Sequence, residues 1–229
     1  MTPGDMGCFR QGDRKAGRMP APQGGAPEPP LRNCGAGFQP AERREDLDRI
    51  IQESEPPLQL GSCVLGKAEV AEIVQKALLF FENRRYWLRA WCIMPNHVHT
   101  VVAPLWGHTL SQIMHSWKSF TAKEINRLLG RRGVLWERES FDHLIRSVES
   151  LEHLVQYTIE NPAAAGLCKR PDDWVFSSCG AGFQPAEEYA FVEPRQTPYT
   201  PMRGRGELPH LHKASGTYFV TFRLFDAVV

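Results

Sequence analysis

Two short patterns in the sequence have residue types and spacing that could do chemistry. His97-Val98-His99 sets two imidazoles at i and i+2. On a strand such residues share a face, so both rings converge on one point and Val98 points into the opposite layer. Two imidazoles on one face suit a divalent metal ion. Tyr157 and Asn161 are four residues apart. On a helix they stack on one face, with His153 in the same column one turn earlier. A carboxamide oxygen at a helix end can complete a metal site. A tyrosine beside a metal can act as a nucleophile once its phenol is deprotonated. A free phenol titrates near about 10, so a metal or a base must assist. Each pattern alone has a plain rival: a chance H-x-H on the surface, or a tyrosine that only packs.

The surrounding periodicity supplies elements to carry these residues. Val70, Ile73, Val74, Ala77, Leu78 and Phe81 follow a helical stripe across Lys67 to Asn83. Tyr86 to Met94 reads as a strand rich in aromatic and apolar residues. Pro95-Asn96 is a turn signal, and His97 to Ala103 resumes with β-branched residues, so a hairpin is expected. Leu110 to Leu129 and Val148 to Asn161 give two further helical stripes, and Pro162 is expected to end the second at Asn161. The fold class expected is an α/β (α+β) sandwich: a small, mainly antiparallel sheet carrying the H-x-H motif, flanked by helices. The two histidines are expected to face a polar cleft.

The segments IMPNHVHTVV, WKSFTAKEINRLLG, LWERESFDHLIRS and YTIENPAAAGL occur in that order between about Arg44 and Ser178. Together they resemble the REP-associated tyrosine transposases, members of the single-strand-specific HUH transposases, in which U is a hydrophobic residue. The resemblance implies that His97 and His99 are paired metal ligands, Tyr157 the nucleophile and Asn161 the third ligand. It implies Mg²⁺ or Mn²⁺ as cofactor; imidazole is not the usual partner of Mg²⁺, which favours Mn²⁺ as a credible alternative. It further implies cleavage and rejoining of single-stranded or hairpin DNA through a 5′-phosphotyrosine link, at palindromic elements. A homodimer is left open by the sequence.

Formal net charge is only +1, from 27 basic and 26 acidic side chains, so any basic footprint for DNA must be local. Trp117 to Arg146 holds seven basic and four acidic residues with aromatics interleaved. Lys118, Lys123, Arg127, Arg138 and Arg146 are candidate phosphate contacts, and Trp117 and Phe120 candidate base-stacking residues. A solvated helix face with core aromatics is the rival reading.

The 229 residues, 42% of them hydrophobic and 23% charged, have a globular composition. No apolar run approaches the roughly 18 residues that span a bilayer, and Met1 to Arg14 lacks a signal-peptide stretch. No membrane partner is expected, and the expected location is the cytoplasm, at the nucleoid. The six scattered cysteines form no C-x-x-C pair and read as free thiols. Met1 to Pro40 contains seven Pro and eight Gly, a composition expected to stay disordered. The expected division is therefore a tail at 1–43, a catalytic domain at 44–178, a loose linker at 179–211 and a terminal segment at 212–229. CGAGFQPAE occurs at Cys34–Glu42 and again at Cys179–Glu187; duplicated DNA, translated where it landed, is the simpler explanation, and a repeated binding peptide is the rival.

Thr217 to Phe225, TYFVTFRLF, alternates with period two and is apolar on both faces. PHLHKASGTYFVTFRLFDAV looks like the opening strand of the same family, yet here it follows the Tyr157 helix. Unpaired, it would be an aggregation hazard, so it is expected to return beside the strand that bears His97 and His99. Three function classes follow. The first is a metal-dependent single-strand DNA transposase or endonuclease. The second is a catalytically inactive DNA- or RNA-binding remnant. The third is a zinc hydrolase, for which no further ligand is evident at suitable spacing.

Overall fold

The computed structural model describes residues 44–55, 61–180, 200–202, 210–212 and 216–227. The expectations for 1–43 and for most of 179–211 lie outside the described residues. The elements run α1 (Arg44–Ser54), α2 (Ala68–Phe80), β1 (Tyr86–Ile93), β2 (His97–Pro104), α3 (Leu110–Leu128), β3 (Phe141–Ile145), α4 (Val148–Ala164), β4 (Thr200–Met202), β5 (His210–His212) and β6 (Thr217–Arg223). β1, β2, β6 and β3 form one antiparallel sheet in that spatial order. The fold is therefore α+β. β4 and β5 pair as a separate antiparallel ladder.

Local chemistry sets the boundaries. Thr109 opens α3 with a reciprocal cap, accepting from the Gln112 amide at 3.3 Å while Gln112 accepts from the Thr109 amide at 3.0 Å. Ser147 opens α4 by accepting from the Ser150 amide at 3.1 Å, and Glu149 adds negative charge in the first turn. The Pro95-Asn96 turn is closed by the Met94 amide donating to the His97 carbonyl at 2.9 Å. Pro162 does not end α4, contrary to the sequence expectation. It removes only its own N–H, and the Ala165 amide still reaches the Asn161 carbonyl at 2.9 Å. The stop comes at Gly166, whose φ of +73° is the left-handed conformation glycine tolerates best.

The strand period divides the core into two layers. On one face, Val98, Val102, Val220 and Phe222 pack with α2 and α3 residues such as Val74, Leu78, Ile113 and Trp117. On the other, Ala90, Val101 and Phe219 pack with Leu151 and Leu154 of α4 and Leu47 of α1. His97 and His99 share the parity of Val101 and so face α4. β6 sits between β2 and β3, pairing His97 with Arg223, His99 with Thr221, and Phe141 with Thr221. It is buried along nearly its whole length, which is why both its faces are apolar. No described helix is long and apolar enough to cross a membrane.

Candidate active site

Residues from four elements meet where β2 begins. The β2 pleat brings the His97 and His99 Nε2 atoms to 2.9 Å from each other. Behind each ring is a fixed partner: His97 Nδ1 lies 2.7 Å from Asn96 Oδ1, and His99 Nδ1 lies 2.8 Å from Thr221 Oγ1 on β6. The Asn96 carbonyl oxygen can only accept, so it holds His97 as the Nδ1–H tautomer with its Nε2 lone pair aimed at His99. The α4 face adds Tyr157 and Asn161, with the Asn161 amide donating to the Tyr157 hydroxyl at 2.9 Å. Asn161 Nδ2 is also 3.5 Å from His99 Nε2. Phe219 stacks on His99 at 5.6 Å and meets Tyr157 edge-on at 5.9 Å.

Glu55, just past α1, closes the cluster. The Tyr157 hydroxyl donates to its Oε2 at 2.8 Å, and Asn161 Nδ2 donates to its Oε1 at 3.0 Å. Ligand atoms of Glu55, His97 and His99 all lie within 4.8 Å of one another. Nothing local in the sequence marked Glu55, because its contacts are 102 and 106 residues away along the chain. The only sequence signal was the apolar spacing of Leu47, Ile50 and Ile51, which carries α1 onto α4. Glu55 also corrects the view that the histidine pair has no further carboxylate ligand within reach.

The pair does not open onto a polar cleft, contrary to the sequence expectation, but is fully enclosed. His97 and His99 are both 0% exposed. Burial pushes His97 down to about 3, with Arg223 adding to the shift, and holds His99 well below its usual value, with His97 adding to it. Both rings are therefore neutral at neutral pH, the form that ligates metal. Tyr157 is raised, first by burial and then by the Glu55 charge beside it.

The donor set fits a cation. Two ligands about 2.1 Å from one ion at right angles lie about 3 Å apart, close to the 2.9 Å between the two imidazole nitrogens. Asn161 Oδ1 is buried without a hydrogen-bond partner. Exchanging the amide oxygen and nitrogen would turn it toward Glu55, Tyr157 and His99. Two imidazoles, a carboxylate and an amide oxygen suit Mn²⁺ or Zn²⁺ better than Mg²⁺.

The candidate DNA contacts are dispersed. Trp117 is corrected: at 2% exposure it belongs to the core, donating to the Tyr86 hydroxyl at 2.9 Å and stacking on Phe222. Its place on the apolar stripe of α3 decides this. The Lys118 ammonium donates to the carbonyls of Glu137, Arg138 and Glu139 at 3.0 to 3.3 Å, and burial lowers it to about 8. It pins the chain between α3 and β3 rather than standing free for phosphate. Arg127 pairs with Glu124 at 2.7 Å. Arg146 is half-buried. Lys123, Arg138 and Phe120 are exposed. His153 turns away from the cluster to Asp48, 3.6 Å off. Cys63, Cys92, Cys168 and Cys179 are free thiols.

Residues 66–161 match the family described as Transposase IS200 like. The chain is similar to the REP-associated tyrosine transposase of Escherichia coli K12, 26% identical over 96 residues that make up 42% of this chain and 56% of that protein. A putative REP-associated tyrosine transposase of Haemophilus influenzae is 28% identical over 100 residues, 38% of this chain and 55% of that protein. The chain thus spans just over half the length of the curated relatives it matches. No solved structure matches it. The resemblance read from the motifs therefore stands, at low identity. The segment matching the family contains His97, His99, Tyr157 and Asn161, whereas Glu55 and β6 lie outside it.

Proposed function

We propose that the chain is a metal-dependent single-stranded DNA transposase or endonuclease that cuts and rejoins DNA through Tyr157, at palindromic hairpin elements. The observation that carries this reading is the single hydrogen-bonded network joining Tyr157, Asn161, Glu55 and the His97–His99 pair. These are a nucleophile and a cation-binding donor set in direct contact, with Tyr157 and His99 rings 5.5 Å apart. His97, His99 and Glu55 would hold Mn²⁺ or Mg²⁺, and Asn161 Oδ1 would be a further ligand once its amide turns over, giving up its donations to Glu55 and Tyr157. The bound ion supplies charge stabilisation for the scissile phosphate.

The chain's own groups do the rest. Phe219 and Asn161 fix the Tyr157 ring against the histidines. The phenol oxygen attacks phosphorus and its proton passes to Glu55 Oε2, which already accepts that hydrogen bond. The bond from phosphorus to the 3′-oxygen breaks. The leaving oxygen takes a proton from water, giving a 5′-phosphotyrosine and a free 3′-hydroxyl. Attack by another 3′-hydroxyl reverses the step and joins strands, so ATP is not needed. In this reading the strand that opens the family fold has moved to the far side of the catalytic helix in the chain, and β6 takes its place beside β2.

Incubation with single-stranded hairpin DNA and Mn²⁺, followed by denaturing electrophoresis, should give a protein–DNA adduct. Tyr157→Phe should give none while binding the same hairpin nearly as well, since only the phenol oxygen is lost. An adduct from Tyr157→Phe would remove Tyr157 from its role. Binding without any adduct from the native sequence would mark the chain as an inactive remnant.

A further inference from the structure

The cleft beside the histidine pair is poorly suited to gripping a polyanion. It measures about 210 Å³ and is lined by Glu53, Glu137 and Glu139 against a single Arg223. More carboxylates than cations line this cleft, which disfavours a phosphodiester backbone there and favours a contact face elsewhere. Lys118 and Arg127 do not supply one, being engaged with carbonyls and with Glu124.

A second groove has the opposite character. About 910 Å³ in volume, it runs between the start of β1, the loop after β2 and the outer face of α3. Arg85, His108, His115 and Lys123 line it together with Phe120 and the Ser119 hydroxyl, and no carboxylate among the described residues does. The Arg85 guanidinium lies 3.5 Å over the Phe81 ring, which leaves its N–H edge available for an anion. Next to Gly107 of the lining, Trp106 is 90% exposed. Phe120, in the lining itself, is 51% exposed, and Phe80 on the neighbouring end of α2 is 66% exposed. Large aromatics this exposed and interleaved with cations are what successive unpaired bases stack on. A duplex hides its base faces and would leave these rings unused.

We infer that this groove is a second nucleic-acid contact face, built to hold an unpaired stretch of DNA at a distance from Tyr157. The groove opens where β2 ends, and His97 stands where β2 begins, roughly 25 Å away along the strand. The groove is also on the α3 side of the sheet, whereas the histidines face α4. A strand engaged at both places wraps around the edge of the domain. The inference rests on the transposase reading only for the identity of the polyanion; charge and aromatic exposure argue for the face itself.

The test measures binding of a labelled single-stranded oligonucleotide in EDTA by fluorescence anisotropy, across a salt series. Arg85→Ala/Lys123→Ala should lower the slope of log affinity against log salt by about 1.4, which is about 25-fold in affinity at 0.1 M salt. Lys123→Ala alone, which leaves the Phe81 stack intact, should give half that change in slope. Trp106→Ala should cost at least about fivefold with the slope unchanged, because stacking carries no counterion release. A blunt duplex should lose nothing on Trp106→Ala. Unchanged affinity and slope in the double variant, with adduct formation by the native sequence intact, overturns the groove and spares the function. If the native sequence neither binds the oligonucleotide nor forms an adduct, both fall.

Discussion

Phe219 is the residue on which stability and the site depend together, and Phe219→Ala separates the two readouts. The ring is 0% exposed, on the central strand β6, with Leu151, Leu154, Val101 and Ala90 around it. It stacks on His99 and meets Tyr157 edge-on. Removing a buried phenyl costs the transfer term plus the cavity, about 3–5 kcal/mol, within which each ring pair accounts for roughly 0.5–1.5 kcal/mol. A domain of this size has about 5–15 kcal/mol in total, so the variant should fold but with a thin margin. With a urea dependence of about 2 kcal/mol per molar, the denaturation midpoint should fall by about 2 M. Phe225→Ala, two positions past β6 and 55% exposed, should cost no more than about 0.5 kcal/mol, a midpoint shift of about 0.25 M. Divalent-metal binding measured calorimetrically should weaken in Phe219→Ala even under strongly native conditions, since His99 loses its packing partner. A midpoint shift under about 0.5 M, or metal affinity unchanged in the folded variant, would refute the claim that β6 supports the site.

Other expectations follow from the same geometry. His97→Ala and His99→Ala should each abolish Mn²⁺ binding by calorimetry, and retention of native affinity by either would show that the pair is not the ligand set. Glu55→Gln keeps the shape but removes the charge, so it should weaken Mn²⁺ binding at least tenfold and slow adduct formation; equal affinity would place Glu55 outside the metal shell. Stability without metal should depend on pH through His97. Its folded value, about 3, lies below the unfolded value of about 6.5. The unfolded chain therefore takes up the proton first, and stability is lost as pH falls below about 6.5, by about 2 kcal/mol at pH 5. Glu82, raised to about 7 by burial, acts in the opposite direction over this range. The readout is thus the difference between the native sequence and His97→Gln in urea midpoints at pH 7 and pH 5, and no difference would contradict the burial argument.

The helices and hairpin that carry the site were legible because their signals are local. The α2, α3 and α4 stripes, the Pro95-Asn96 turn and the alternation of TYFVTFRLF each reside within about twenty residues. The His97–His99 and Tyr157–Asn161 pairs were legible because i+2 on a strand and i+4 on a helix fix faces without tertiary knowledge. β3 was missed: FDHLI is short and only half-buried at its start, so its alternation is weak. Glu55 was missed because a carboxylate becomes part of a site only through what folds against it. Trp117 was misassigned for a related reason. Aromatics interleaved with cations look alike in sequence whether they stack on bases or on Phe222, and only the face of α3 distinguishes them.

The position of β6 in the chain also bears on how the protein is made. β2 must be paired on both edges, yet Thr221, which holds His99, is synthesised 122 residues after it. At about 5–20 residues per second on the ribosome, β2 waits roughly 6–24 s with one edge open. Throughout that interval HVHTVVAP offers unpaired backbone on an apolar strand, and β3 emerges with no neighbour. Sheet closure is thus a late, long-range event, the kind that folds slowly and that general chaperones would be expected to cover. A nascent chain stalled before β6 should be captured by such chaperones, and the His97–His99 cluster should stay incomplete until that strand slots in.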